Sequence, residues 1–275
     1  MPLFAAALLA LVCFAFNSLL CRMALRPDLI DAASFTAVRL GAGAITLFVL
    51  ARGGFGAGSW PSALALIGYA ITFSLAYRGV GAGVGALLLF GTVQATMIGW
   101  GMVRGHHPRR AEWAGLAVSL CGLIGLVLPS LSAPPIANAL LMMIAGVGWG
   151  AYSLQGRGSK KPLADNAGNF LRAAPLAVAL AAGLALSGRA HAAPQGLVLA
   201  VVSGAVTSGI GYALWYRALP SLTPARAAIL QLAVPVLAAG GGVLLLGEQV
   251  TARLAICGAL VLGGVAIAVL GVRRA

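Results

Sequence analysis

The sequence predicts an all-α integral membrane protein, with ten transmembrane helices arranged as two inverted five-helix repeats around a central cavity. Three observations lead there. Of 275 residues, 61% are apolar and only 8% charged, against roughly a quarter charged in an ordinary soluble domain. Mean hydropathy is +1.00, which excludes a solvated disordered chain. The two halves also run in step: Tyr77-Arg78 overlies Tyr216-Arg217 at an offset of 139.

Crossing a bilayer takes about 20 apolar residues, and stretches free of Asp, Glu, Lys and Arg supply them. Residues 1–21 form the first. They lack a basic leader and an Ala-x-Ala cleavage site, so retention as a helix is expected rather than removal. The second span runs from about 33 to 51, after Asp31, and the third and fourth occupy 53–77 and 79–103, on either side of Arg78. Residues 113–156 are too long for one span and break at 129–135, where Pro134-Pro135 ends a helix. The seventh covers about 166–187 with Pro175 inside it, and 190–216, 227–247 and 254–272 complete ten. Only short connections remain, with no room for a soluble domain.

A net charge of +13 raises a nucleic-acid reading, but the positions of the basic residues argue against it. With a cytoplasmic N-terminus, the inner connections hold Arg52; Arg104, Arg109, Arg110; Arg157, Lys160, Lys161; Arg217, Arg226; and Arg273, Arg274. The outer ones hold Arg22, Arg26, Arg78, Arg189 and Arg253. Eleven against five is the positive-inside bias. It puts both termini in the cytoplasm and the basic side chains near lipid headgroups, with no nucleic acid as partner. The four cysteines, Cys13, Cys21, Cys121 and Cys257, have no metal-like spacing and read as small buried hydrophobes. Neither they nor His106-His107 implies a metal, and nothing in the chain calls for a cofactor.

The halves divide the chain into residues 1–130, the first five-helix repeat, and 136–275, the second. The offset drifts smoothly: Arg22 meets Arg157 at 135, Arg39 meets Arg172 at 133, and Gly105 meets Gly247 at 142. Five is odd, so the second copy enters the membrane from the other side. Inverted repeats of this kind mark transporters, with a substrate site near the midplane where the copies meet.

Polar and aromatic residues inside the spans are the candidates for that site. Helix three carries Tyr69, Phe73 and Tyr77 at a spacing of four, and helix eight carries Tyr212, Trp215 and Tyr216. At the repeat offset Phe73 overlies Tyr212 and Tyr77 overlies Tyr216, so two related stripes could line a slot for a planar side chain. Ordinary helix packing or an interfacial belt is the competing account. Asn17, Gln94 and Gln231 are amides in apolar runs, where each must face protein or water. Asn17 aligns with Tyr152. Neutral donors and acceptors suit a zwitterion; glue between helices is the competing reading. Trp149 joins this set. Pro175 and Pro235 free carbonyls where helices can bend, and Trp100 is placed with them as a gating residue.

Arg39 and Arg172, at matching positions in helices two and seven, are expected to anchor the helices by snorkelling to the headgroups. Glu248 is expected near Arg253, fixing a short turn. The glycine-rich pairs Gly81/Gly85, Gly146/Gly150 and Gly204/Ser208 favour close helix approach. None of the five acidic residues is expected near the bilayer centre, so transport is predicted to follow the substrate gradient or to use a weak route through the terminal carboxylate.

The run Tyr216–Ala228, followed by Gln231, Pro235 and Leu246-Gly247-Glu248, resembles the drug/metabolite transporter superfamily, EamA-like branch. Within it the chain looks most like bacterial exporters of aromatic amino acids (YddG type). The second half matches better than the first, where His106 stands opposite Glu248 and Gln94 opposite Pro235. The resemblance implies a non-enzymatic carrier in the inner membrane, a monomer or weak homodimer. It also implies a cavity lined by helices one, three, four, six, eight and nine that opens to either side in turn. The expected substrate is an aromatic or other neutral amino acid, or a similar amphipathic metabolite. A nucleotide-sugar or phosphorylated-metabolite carrier is the alternative, and a lipid-modifying enzyme a more remote one.

Overall fold

Each long charge-free segment folds as a helix wherever the structure describes it. The computed structural model describes residues 3–54, 58–103, 110–128, 133–156, 159–219, 230–231 and 233–270. The helices are α1 (Leu3–Leu25), α2 (Ala32–Leu50), α3 (Trp60–Ala76), α4 (Ala82–Val103) and α5 (Arg110–Val127). They continue with α6 (Ile136–Gly156), α7 (Pro162–Leu186), α8 (Pro194–Ala218), α9 (Ala233–Leu246) and α10 (Ala252–Leu270). Six of them, α1, α2, α4, α6, α7 and α8, are long and apolar enough to cross a membrane, while α3, α5, α9 and α10 carry shorter apolar stretches. Among the described residues the only extended pairing is an isolated bridge between Ile30 and Ala192.

Local chemistry sets the helix starts. Asp31 caps α2 by accepting from the Ser34 N–H at 2.8 Å, the arrangement that satisfies an orphan first-turn donor. Ser59 does the same for α3 through Ser62 N–H at 3.2 Å. Proline in the first turn of α7, where its fixed φ is already helical, lets that helix begin four residues before the expected boundary. After α9 the chain turns at Gly247, φ +62°, a left-handed position that glycine adopts without cost.

Helix ends gather at two opposite ends of the bundle. At one, Arg22 of α1, Tyr77 after α3, Ala82 of α4 and Glu248 after α9 meet, and Asn138 of α6 donates to the Leu75 carbonyl at 3.1 Å. At the other, Ser59 N–H donates to Asn169 of α7 at 2.8 Å and Ser62 to Gln155 of α6 at 2.8 Å. Between these ends α2 packs on α7, α5 on α10, α3 on α6 and α1 on α8, with α4 lying against both α6 and α9. Glycine permits the closest approach: Gly122 of α5 faces the Cys257 carbonyl, and Gly264 of α10 faces the Gly115 carbonyl, where a Cβ would collide.

The exterior is apolar as well as the core. Leu8, Phe16, Val49, Leu64 and Leu244 are exposed, as a hydrocarbon-facing surface requires. Cys121 is also exposed, so it faces outward rather than being buried as expected; the other three cysteines are buried. Trp60, Trp100 and Trp113 are 57%, 47% and 50% exposed and all lie at the end of the bundle where α3 and α5 begin and α4 ends. Outward tryptophans at one level form an interfacial belt. Trp100, placed with the gating residues from the sequence, is one of these three exposed side chains.

Candidate functional site

Where α1, α3, α6 and α8 converge, their aromatic side chains interlock. Phe14 of α1 meets Trp149 at 5.5 Å, Tyr212 at 5.7 Å and Trp215 at 5.8 Å, each edge to face. Trp149 also meets Tyr69 at 5.1 Å and Tyr212 at 4.8 Å. The column extends through Tyr69, Phe73 and Tyr77 at 5.2 and 4.7 Å toward the Glu248 end. In the other direction it passes from Trp149 to Tyr152 at 5.8 Å and on to Tyr216 at 5.6 Å. All these rings are buried, so both predicted stripes face inward.

The space they enclose is small. Phe14, Asn17, Tyr69, Phe73, Trp149 and Tyr212 surround a cavity of about 10 Å³, room for a single water. The open slot expected from sequence is closed here, because edge-to-face rings fill the seam. Larger clefts lie at either end. One of about 570 Å³ is bordered by Arg26, Asp28, Arg78 and Asn138; the other, about 290 Å³, by Ser59, Gln155, Asp165, Asn169 and Tyr216.

Polar side chains thread the ring column. Asn17 accepts from Ser203 at 2.7 Å and Thr207 at 3.1 Å, and its amide donates to the Tyr69 hydroxyl at 3.5 Å. Trp149 donates to Gln231 at 3.4 Å. Tyr152 hydrogen-bonds Asn166. The α8 partners come from a π-helical stretch, Ser203–Ile210, a geometry frequent at functional sites. Close contact requires glycine here, since a Cβ on Gly204 would strike the Arg39 carbonyl.

Arg39 departs most from expectation. Rather than snorkelling, it is 1% exposed. Its Nε donates to Ser208 at 3.0 Å, and Nη2 donates to the Tyr69 and Tyr212 hydroxyls at 3.0 and 3.1 Å. Arg172, its sequence counterpart, is half-buried and turns back to the Gly168 carbonyl at 2.9 Å. A matched sequence position does not fix a matched environment, because helix rotation decides which face the side chain takes.

The remaining predicted residues divide between the seam and other places. Gln94 is buried and its Nε2 has no hydrogen-bond partner; Tyr77 Oη and Trp215 Nε1 share that condition. Pro235 is buried in α9, whereas Pro175 lies on the exposed face of α7. Glu248 pairs with Arg22 at 3.3 Å, while Arg253 donates to the Gly125 carbonyl at 2.8 Å. Residues 220–229, His106, His107 and Pro129 lie outside the described residues. Sequence reasoning passed over Phe14, although it sits three residues before Asn17 on the same face. It also passed over Ser203, Thr207 and Ser208, since Ser208 was read only as a small residue. Among the described residues no three His, Cys, Asp or Glu side chains gather to hold a metal.

Comparison with known proteins narrows the reading. Residues 137–270 match the EamA-like transporter family. Over 269 residues the chain is 49% identical to the Pseudomonas aeruginosa protein PA1977, covering 94% of this chain and 91% of that one. The chain belongs to the EamA-like transporter family. As an EamA-like protein it falls within the drug/metabolite transporter superfamily and is a multi-pass membrane protein. Family membership implies a small-molecule substrate and a lipid surround. A Salmonella typhimurium relative, the "probable amino-acid metabolite efflux pump", is 25% identical over 230 residues, covering 76% of this chain and 77% of its own. A solved crystal structure superposes over 100% of both chains at a TM-score of 0.67 and 21% identity, a likeness of fold alone.

Proposed function

We propose that this EamA-like protein is a secondary transporter that exports amino acids, aromatic or otherwise neutral, or similar small amphipathic metabolites across the inner membrane by alternating access. Its two working parts are the inverted repeats 1–130 and 136–275, ten spans in all, with both termini cytoplasmic. The charge bias of the connections supports that orientation. The helix pairing supports the repeat: α1 on α8 is answered by α3 on α6, and α2 on α7 and α5 on α10 join equivalent helices. Phe14 and Trp149, 135 positions apart like Arg22 and Arg157, meet ring to ring at 5.5 Å. Contact between equivalent residues is what a two-fold axis produces.

The observation that carries the reading is the closed aromatic and amide seam between two polar clefts. Substrate binding exchanges ring-on-ring contacts, about 0.5–1.5 kcal/mol each, for contacts with its own side chain, while Asn17 and Gln231 meet its polar groups. Rocking one repeat against the other then opens the seam to one cleft at a time.

Counterflow of labelled phenylalanine or threonine in proteoliposomes tests this. Exchange is expected in the wild type and strongly reduced in Asn17→Ala and Tyr77→Ala. Absence of exchange for every amino acid tried, with binding of nucleotide sugars instead, would overturn it. Arg39 is the one observation that favours such an anion carrier, but a single guanidinium already tied to three hydroxyls suits one carboxylate better than a phosphate diester.

A further inference from the structure

The seam contains a fixed positive charge with no fixed negative one beside it. Every partner of Arg39 is neutral: the hydroxyls of Ser208, Tyr69 and Tyr212, and the ring faces of Tyr69 and Phe73 at 5.3 and 5.1 Å. No carboxylate pairs with it among the described residues. Asp28, Asp31 and Glu248 lie at one end of the bundle and Asp165 at the other. Nη1 is buried without a hydrogen-bond partner. An intramembrane charge is costly and ordinarily paired; hydroxyls and ring faces lessen that cost without cancelling the charge.

We infer that Arg39 receives the carboxylate of the transported molecule, which sets the substrate class as a monocarboxylate on an apolar or aromatic body. The inference rests on the transport reading of this seam and adds the recognised group. Tyr69 and Tyr212 border the central cavity, and their hydroxyl oxygens lie 3.3 Å apart on the same Nη2. They take up both protons of that nitrogen, donors that an entering carboxylate would contest. A carboxylate entering there displaces the phenols from Nη2 and engages the free Nη1. The planar guanidinium holds two oxygens at once, which a lysine ammonium does not. Phe14 and Trp149 then flank the apolar body. Replacing the carboxylate by an amide, or removing it altogether, leaves the guanidinium uncompensated and makes the substrate a net cation.

The test is competition for labelled phenylalanine counterflow by unlabelled phenylalanine, phenylalaninamide and phenethylamine in proteoliposomes. In the wild type the amide and the amine are expected to compete at least about tenfold more weakly than the acid, a lower bound for a site whose buried polar group loses its partner. Arg39→Gln is expected to weaken phenylalanine and to narrow the gap to the amide to about twofold, with Arg39→Lys intermediate. Equal competition by acid and amide in the wild type, or an undiminished gap in Arg39→Gln, overturns the carboxylate assignment and leaves the transport reading intact. No exchange of any amino acid tried in the wild type, with binding of nucleotide sugars instead, removes the amino-acid transport reading itself. Should Arg39→Gln fail to elute as a folded species, the acid-against-amide comparison in the wild type decides alone.

Discussion

Glu248 and Arg22, 226 residues apart, form an ion pair at 3.3 Å. The other carboxylate oxygen of Glu248 accepts from the Ala82 N–H at 2.8 Å and so caps α4. Arg22 in turn donates to the Tyr77 carbonyl at 2.7 Å. One carboxylate thus ties the end of α9 to α1 and α4, next to the last ring of the aromatic column. In the other half the equivalent sequence positions are His106 and Arg157, which cannot form such a pair. The sequence therefore supplies this pair to one half only.

From that pairing a graded effect follows. Glu248→Gln keeps an oxygen for Ala82 but loses the charge, whereas Glu248→Ala loses both. Stability is expected to fall in that order, by about 1–3 kcal/mol for the full loss, read from unfolding of the purified protein in detergent. Equal stability of all three forms would contradict the tie.

Trp149 touches Phe14, Tyr69, Tyr152 and Tyr212 and donates to Gln231. Truncating a buried aromatic costs about 3–5 kcal/mol. Trp149→Ala is expected to lower both stability and phenylalanine exchange, while Trp149→Phe retains most of the stability and loses the bond to Gln231. Trp100→Leu, on the outer rim, is expected to leave exchange unchanged. A transport defect in Trp100→Leu would place it at the gate instead.

Asp31 gives a pH dependence. Burial pushes its carboxyl pKa up, but N–H donors from Ser34 and His191 outweigh that and hold it below the ordinary value. A lowered folded pKa means that the charged form stabilises the fold. Its contribution is complete above the unfolded pKa, about 3.9, and is lost as pH falls through the lower folded value. Thermal stability of the wild type is expected to drop in that acid range, and Asp31→Asn to show a flatter profile with lower stability at neutral pH. Parallel profiles would contradict the assignment.

Asp28, Asp31, Asp165 and Glu248 lie at helix ends, away from the seam where a proton relay needs a titratable group. An imposed pH gradient is therefore expected to produce no uphill accumulation of phenylalanine in proteoliposomes. Strong concentrative uptake would require a protonation step within the seam.

The helices were legible because a bilayer demands uninterrupted apolar length, and charge marks where that length ends. That Tyr69, Phe73 and Tyr77 share a face followed from their spacing of four; that the face turns inward did not. Rotation and distance were not legible. Arg39 and Arg172 look alike in the sequence, yet one is walled in by two tyrosines and the other turns back along its own helix. Glu248 found its partner in α1, a contact that no local pattern encodes. Phe14 escaped notice because no second aromatic on its helix repeats at the period of its face toward the seam.

The wide turn from Ser203 to Ile210 has a further consequence for α8. Tyr212, Trp215 and Tyr216 follow it, so their bearing depends on how many residues those turns consume. Tightening the segment to ordinary α geometry, about 100° per residue, with its length unchanged would swing every later side chain around the helix axis. The three rings would leave Phe14 and Tyr152, and Arg39 would lose the Tyr212 hydroxyl. The wide turn, like a shim under one leg, thus keeps half of the aromatic wall aimed at its counterpart.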